Sequence, residues 1–114
     1  MSLAEADRQT LNDIAKDSIG YSLELGSNAR FEQTLNLDDY SADLQQQRAT
    51  FVTLNINDQL RGCIGTLEAH QPLVLDVAHN ARAAAFHDPR FGPLSKPEFD
   101  GCRFIFPYSE NPSP

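Results

Sequence analysis

The sequence has few cysteines, few basic residues and no long apolar run. Its two cysteines, Cys63 and Cys102, fit a reducing compartment better than a disulfide framework. Nine Lys and Arg residues stand against sixteen Asp and Glu, and this formal charge of −7 argues against nucleic-acid binding through a broadly basic face. No stretch approaches the roughly 20 apolar residues of a membrane span, and residues 1–25 lack a signal-peptide pattern. The composition therefore predicts one acidic, cytoplasmic domain over residues 1–114.

The first predicted element is an amphipathic helix over residues 2–25. Ser2 and Glu5 have the spacing of a capping box, and Gly26 marks the end of the helix. Small and apolar residues recur along one stripe, as expected for the side of a helix that faces a core. They are Leu11, Ile14, Ala15, Ser18, Ile19 and Ser22. Gly20 interrupts the run and should cost about 1 kcal/mol relative to alanine, so the helix is expected to bend or fray there.

A polar segment without periodicity follows this helix. Residues 27–50 are predicted as a long surface connection, with one helical turn around Asp38–Leu44. Further along the chain, Pro72 opens a second helix with a stripe of mostly small residues. That helix is expected to end near His87, because Pro89 restricts the backbone of the residue before it.

Between the two helices the sequence predicts a β-hairpin. Phe51–Ile56 alternates apolar and polar residues, and a second extended run follows from Leu60 to Ile64. A three-residue turn over residues 57–59 places apolar residues opposite one another, pairing Ile56 with Leu60, Leu54 with Gly62 and Val52 with Ile64. A two-residue turn would set the same apolar residues opposite Gln59, Arg61 and Cys63, so the three-residue turn is favoured. In that register one face carries Thr53, Asn55, Arg61 and Cys63.

The last part of the chain is predicted to contain a short helix and a strand. Ser95 and Glu98 repeat the capping-box spacing, which favours one helical turn. Arg103–Phe106 is predicted as a strand, and the prolines that follow it, beginning with Pro107, end regular structure.

Cys63 is the residue with the clearest chemical potential. It lies between Gly62 and Gly65, which leave the backbone open to close approach, and Arg61 is two residues away. A nearby cation favours the thiolate, which is the form of cysteine that attacks a substrate or ligates a metal. The structural alternative is a small buried hydrophobe, the usual role of an unpaired cysteine in a strand.

The histidines extend this hypothesis without establishing it. A Cys–His nucleophile pair requires His70, His79 or His87 to fold back onto Cys63. His79 and His87 are eight residues apart and do not share a helix face, and neither cysteine belongs to a C-x-x-C pair. The sequence therefore predicts no metal site and names no cofactor.

The hexapeptide Leu60–Gly65, LRGCIG, resembles the signature of the AMMECR domain family. The flanking segments are similar to the family as well. They are Phe51–Leu54 before the motif and, after it, Pro72–Leu73, Asp76–Ala78, Asn80–Ala81, Ala84–Phe86, Asp88–Phe91 and Pro93–Leu94. The resemblance covers about residues 5–100 and identifies the chain as a member of this family.

The resemblance implies an α+β fold, in which β3-α2-β repeats build a curved antiparallel sheet with flanking helices. It implies a cytosolic protein in a modification pathway with Memo-like and radical-SAM partners, and it supplies no settled activity. The signature is the family's candidate site, which makes Cys63 and Arg61 the candidate catalytic residues. Gly62 and Gly65 are the matching ligand-binding candidates, and the hairpin register adds Asn55 and Thr53 to them.

The chain departs from the family after Asp100. Residues 101–114 resemble the family poorly, and the family domain continues well beyond this length. This favours an incomplete domain of about one repeat, whose tail arises from a shift of reading frame. A half domain exposes a sheet edge, so self-association through that edge is expected.

Three functional hypotheses follow from the sequence. The first is a pathway component, in its strongest form an enzyme that uses Cys63 and Arg61. The second is a non-catalytic binding or scaffold module, which predicts that Cys63→Ala is tolerated while bulky residues at Gly62 abolish binding. The third is a truncated product without activity.

Overall fold

The computed structural model describes residues 4–105 of the chain, and the side chains of residues 4–101. The helices are α1 (Glu5–Leu25), α2 (Ala42–Gln45), α3 (Leu73–Phe86) and α4 (Lys96–Asp100), and the strands are β1 (Phe51–Ile56), β2 (Gln59–Gly65) and β3 (Cys102–Ile105). The strands form one antiparallel sheet in the order β2-β1-β3. The α+β class and the antiparallel sheet with flanking helices are therefore confirmed. Within the described residues two strands, rather than three, precede the helix pair.

Helix α1 buries the stripe that the sequence predicts. Its serines are satisfied inside the protein, because the Ser18 hydroxyl donates to the carbonyl of Ala78 at 2.7 Å and so joins α1 to α3. The predicted start of the helix is wrong: Ala4 is the N-cap residue and makes no side-chain cap, while Ser2 lies outside the described residues. The helix continues without interruption through Gly20 and ends at Gly26, whose φ of 115° favours glycine.

The polar connection contains more structure than the sequence predicts. It forms two 3₁₀ turns, Phe31–Thr34 and Leu37–Asp39, and the short helix α2. Leu44 of α2 is buried in the core. The first turn is held against α3 by an ion pair between Arg82 and Glu32, with 2.8 Å between Nη1 and Oε1. These contacts join segments far apart in sequence, which is why local periodicity gave no sign of them.

The hairpin combines features of both predicted registers. Asn57 and Asp58 have φ values of 54° and 63°, the left-handed geometry of a two-residue type I′ turn. Ile56 therefore lies opposite Gln59, and the predicted three-residue turn with an Ile56–Leu60 pair is wrong. The register then shifts by one residue between Leu54 and Asn55, because Arg61 forms a β-bulge. The predicted pairs of Leu54 with Gly62 and Val52 with Ile64 are restored beyond it.

Helix α3 forms the centre of the core. Pro72 is its N-cap residue rather than its first helical residue, and His87 is the C-cap, close to the predicted end. Its small residues let α1 and the sheet approach closely. The buried residues of the helix include Leu73, Val74, Val77, Ala78, Ala81, Ala84 and Ala85.

A buried carboxylate joins the start of α3 to both strands of the hairpin. Asp76 is fully buried and accepts hydrogen bonds from the backbone N–H and the hydroxyl of Thr50, at 2.9 and 2.7 Å. Its other oxygen accepts from Thr66 and Gln71, each at 3.0 Å. Asn80, one turn along α3, donates to Asp76 and to the carbonyl of Thr50. These four residues around Asp76 satisfy a charged group that would be costly to bury alone.

The end of the described chain agrees in part with the sequence. The capping box of Ser95 and Glu98 is present at the start of α4. Strand β3 begins at Cys102, one residue before the predicted start, and pairs with β1. Phe106 and the rest of the predicted tail lie outside the described residues. Among all the helices of residues 4–105, none is both long and apolar enough to cross a membrane.

Replacing Asp76 should destabilise the fold strongly. Asp76→Ala leaves buried hydroxyl and amide donors without their acceptor, so we expect a loss of roughly 3 kcal/mol in the free energy of unfolding. Urea denaturation followed by circular dichroism measures this change. The matched control is Asp13→Ala on the exposed side of α1, which should stay within about 0.5 kcal/mol of the unaltered protein. Equal stability of the two variants would contradict the structural role of Asp76.

Candidate functional site

The signature strand β2 lies at the edge of the sheet, beside the segment 88–98. Cys63 is half-buried, and its sulfur lies 3.3 Å from the hydroxyl oxygen of Thr53, its partner across the hairpin. Its backbone N–H points out of the sheet and donates to Oδ2 of Asp88 at 3.0 Å. Asp88 therefore occupies a position on the strand edge that another strand would otherwise use.

Asp88 and Arg90 form a pair of opposite charges next to Cys63. Arg90 donates to both carboxylate oxygens of Asp88 through its guanidinium, at 3.1 and 2.8 Å, and its backbone N–H donates as well. These side-chain hydrogen bonds hold the pKa of Asp88 well below its usual range, against the opposing effect of burial. The pKa of Arg90 is raised, first by the hydrogen bond with Asp88, and the nearby Cys63 also contributes. An ion pair, rather than a lone positive charge, therefore lies beside Cys63.

Arg61 is held by the protein itself. Its guanidinium donates to both carboxylate oxygens of Glu98 in α4, at 2.8 and 3.1 Å, and to the carbonyl of Gly92 at 2.9 Å. The ring of Phe91 lies between Arg61 and Arg90, with the two guanidinium carbons 5.5 and 5.4 Å from its centroid. The hydrogen bond with Arg61 lowers the pKa of Glu98 to about 2. Arg61 therefore links the signature strand to α4.

Both glycines of the signature are needed for packing. A Cβ atom at Gly62 would overlap the carbonyl oxygen of Ala84, so glycine lets the strand lie directly against the backbone of α3. A Cβ atom at Gly65 would overlap the ring of Phe51, which lies across this position from the neighbouring strand. The sequence predicts that something can approach the backbone closely at both glycines. In the structure, other parts of the same chain occupy both positions.

The structure brings some of the predicted site residues together and separates others. Thr53 and Cys63 contact each other, and Asn55 is half-buried two residues along the same strand as Thr53. The two catalytic candidates have different partners. Cys63 contacts Thr53 and Asp88. Arg61 contacts α4 and the loop before it.

The three histidines make their contacts elsewhere. His70 lies within hydrogen-bond distance of the carbonyl of Glu68, His87 of Ser27, and His79 of Arg82. None of the three histidines therefore forms a Cys–His pair with Cys63 among the residues that the structure describes. In the same part of the chain, no three His, Cys, Asp or Glu side chains come together as a metal site.

Sequence reasoning missed Asp88, Arg90 and Glu98 as site residues. One local signal was present, because an aspartate that bonds the backbone two residues on forms an Asx turn, and Asp88 does this with Arg90. The bond from Arg61 to Glu98 spans 37 residues and has no local signal.

Comparisons with known proteins find a family model and relatives that match most of this chain. The AMMECR1 family model matches residues 13–107. A protein of Sulfolobus acidocaldarius is 46% identical over 92 residues, covering 76% of this chain and 37% of that protein. A protein of Methanothermobacter thermautotrophicus is 37% identical over 98 residues, covering 86% and 48%. The chain thus spans less than half the length of these curated relatives.

A solved structure shows the same architecture. The crystal structure of the uncharacterized protein PH0010 from Pyrococcus horikoshii superposes with a TM-score of 0.75 and 29% sequence identity. The match covers 87% of this chain and 49% of that one.

Adding one methyl group at Gly62 should destabilise the protein. Gly62→Ala forces the signature strand away from the Ala84 carbonyl, and we expect a loss of about 2 kcal/mol or more in the free energy of unfolding. Gly92→Ala is the matched control, because a Cβ atom there meets nothing within 4 Å. Urea denaturation compares the two variants, and an unchanged midpoint for Gly62→Ala would refute the packing role.

The ion pair between Arg61 and Glu98 should make stability depend on pH in the acid range. The pKa of Glu98 in the folded protein is about 2, below its usual 4.5, so its contribution is complete above about pH 5. That contribution is lost as the pH falls towards 2, because protonation removes the charge that Arg61 binds. Glu98→Gln should therefore be less stable than the unaltered protein at pH 6, with the difference shrinking by pH 3.

The effect should be modest, because the Glu98 side chain is 39% exposed and solvent screens the pair. Thermal unfolding at the two pH values measures it. Asp100→Asn, which alters an exposed pair with Lys96, is the control. A difference between Glu98→Gln and the unaltered protein that stays constant with pH would contradict the assignment.

Proposed function

Because the chain belongs to the AMMECR1 family, we propose that it is a binding module whose signature strand presents the Thr53–Cys63 pair to a partner. The partners proposed from the family resemblance are Memo-like and radical-SAM proteins of a cytoplasmic modification pathway. This chain spans less than half the length of its curated relatives. That it takes part in the same pathway as those longer proteins belongs to this proposal.

One observation carries this proposal: most of the signature is already engaged within the protein. Arg61 is bound by Glu98 and Gly92, and Gly62 lies against Ala84. Gly65 is covered by the ring of Phe51 in the same way. A motif engaged in this manner builds a rigid surface, which lowers the entropy lost when a partner binds.

The outer surface around Thr53 and Cys63 has the composition of an interface. Phe51 and Leu60, on either side of this pair, are 41% and 44% exposed, which is high for large apolar residues. Their apolar area surrounds the hydroxyl of Thr53, the thiol of Cys63 and the amide of Asn55. Interfaces commonly combine apolar contact with a few hydrogen-bonding groups that fix orientation.

A second function, nucleophilic catalysis by Cys63, is favoured by one specific contact. The Arg90 guanidinium lies near Cys63, because it and the backbone N–H of Cys63 donate to the same carboxylate oxygen of Asp88. The first proposal is preferred because the described residues place no histidine at Cys63 and because Arg61 is already bound to Glu98. Catalysis predicts that Cys63 reacts with a disulfide reagent faster than Cys102 near neutral pH.

The binding proposal predicts a small effect on affinity for one substitution on this surface and a large loss of affinity for another. Cys63→Ala removes the thiol but keeps the surface, so affinity for the partner should change less than about threefold. Thr53→Arg places a long charged side chain next to Cys63 on the same surface, and it should weaken binding by roughly tenfold or more. Isothermal titration calorimetry with a purified Memo-like protein measures both.

The control is Asp13→Ala, on the exposed side of α1, which should leave the affinity unchanged. Thermal unfolding of each variant verifies that it is folded. If Thr53→Arg binds as tightly as the unaltered protein, or Cys63→Ala abolishes binding, the binding module is refuted. A markedly faster reaction of Cys63 than of Cys102 with the reagent would then support catalysis.

A further inference from the structure

A groove on the other side of α4 from Arg61 runs along the exposed side of α1. Its volume is about 810 Å³, within the range of small-molecule sites. The floor is formed by Gly20 and Tyr21 of α1, together with Phe31 and Phe99. None of these residues belongs to the signature, so the groove is separate from the Thr53–Cys63 surface.

The position of Gly20 keeps this groove open. Glycine in the interior of a helix is unfavourable by about 1 kcal/mol relative to alanine, and yet α1 continues through it. A Cβ atom at Gly20 would lie 3.7 Å from the ring of Phe99, an ordinary contact distance. A longer side chain would extend over Phe99 and fill the space. The glycine is therefore not required by a turn or by a positive φ; its effect is to leave an open space above the helix.

Aromatic rings line this space. Tyr21 and Phe31 contact each other with centroids 5.5 Å apart and planes tilted by 56°. Phe99 lies next to Gly20 and also lines the groove, with the Lys96 ammonium 5.7 Å from its centroid. Three half-buried rings around one opening offer edges and faces to a flat aromatic ligand.

The rim carries equal numbers of opposite charges. Lys16 and Lys96 supply two ammonium groups, and Asp17 and Glu24 supply two carboxylates. Lys96 is paired with Asp100 at 3.1 Å, whereas Lys16 has no hydrogen bond or ion pair within the described part of the chain. A rim of this kind attracts neither a simple anion nor a simple cation. It complements a ligand that carries both charges.

From these observations the geometry points to a binding site for an aromatic amino acid between α1 and α4. The ring enters between Tyr21, Phe31 and Phe99. The carboxylate of the ligand binds the ammonium of Lys16, and its ammonium binds the carboxylates of the rim. This site does not depend on the function proposed for the signature strand.

The absence of tryptophan from this chain gives a direct assay. L-Tryptophan can be excited selectively, so its fluorescence change on titration with the protein reports binding without a background from the protein. We expect saturable binding with a Kd of about a millimolar or lower, as befits a small ligand in an open groove. No saturable change would overturn the proposal.

Related compounds test which chemical groups the site recognises. Tryptamine has only the positive charge, indole-3-propionate has only the negative charge, and N-acetyltryptophanamide has neither. We expect each to bind several-fold more weakly than L-tryptophan. Tighter binding of N-acetyltryptophanamide would show that the groove takes an aromatic side chain of a polypeptide, and would refute the amino-acid site.

Variants at Gly20 and Lys16 test the location. Gly20→Leu fills the groove and should weaken binding at least tenfold, whereas Gly20→Ala, the matched control, should bind within about threefold of the unaltered protein. Both should remain folded, because alanine and leucine favour helix more than glycine does. Lys16→Met should weaken L-tryptophan by about threefold and leave N-acetyltryptophanamide unaffected. Unchanged binding to Gly20→Leu would overturn the site.

Discussion

The arrangement of this protein depends on one buried carboxylate. Asp76 accepts hydrogen bonds from Thr50 at the start of β1, from Thr66 just after β2 and from Gln71 before α3. A single charged group thereby sets how the hairpin lies on the helix. Within residues 4–101 its hydrogen-bond partners are neutral groups, so the buried carboxylate is stabilised by the number and direction of these donors. The packing of Gly62 against Ala84 requires the same alignment of strand and helix.

The signature illustrates how a motif with reactive residue types can be largely structural. Arg61 has the charge and reach of a catalytic group, but its Nε and Nη2 groups are bound to Glu98 and a backbone carbonyl. Gly62 shows the same distinction, because the space it leaves is occupied by helix α3. The side chain of Cys63 makes its contact within the hairpin rather than with a helix. It pairs across the hairpin with Thr53.

Sequence patterns were sufficient where the determining interaction is local. The stripe of α1, the capping box at Ser95 and the end of α3 near Pro89 each follow from residues within a few positions, and all three are found. The class of the fold followed from the same patterns together with the family resemblance. The sequence alone could not explain the polar Ser18 in the predicted core stripe, because its hydrogen-bond partner, the carbonyl of Ala78, is 60 residues away.

The remaining features depend on contacts between distant segments. The alternation of β1 and β2 could not decide between two turn lengths, because the bulge at Arg61 lets a two-residue turn coexist with the apolar pairing of the longer one. Asp76 lies within the predicted helix, but its partners come from three other segments, so a buried role had no local signal. The site around Cys63 likewise depends on Asp88, 25 residues away.

The bulge also affects how the hairpin can change in length during evolution. Between the Leu54–Gly62 pair and the turn, β2 has one residue more than β1. Loss of one residue from this part of β2 converts the bulge into regular pairing, and Cys63 stays opposite Thr53. The tip can therefore shorten without reversing the faces of the strand, whereas loss of one residue beyond Cys63 would reverse the faces of the residues that follow it. The hairpin tolerates length variation on one side of the bulge and opposes it on the other.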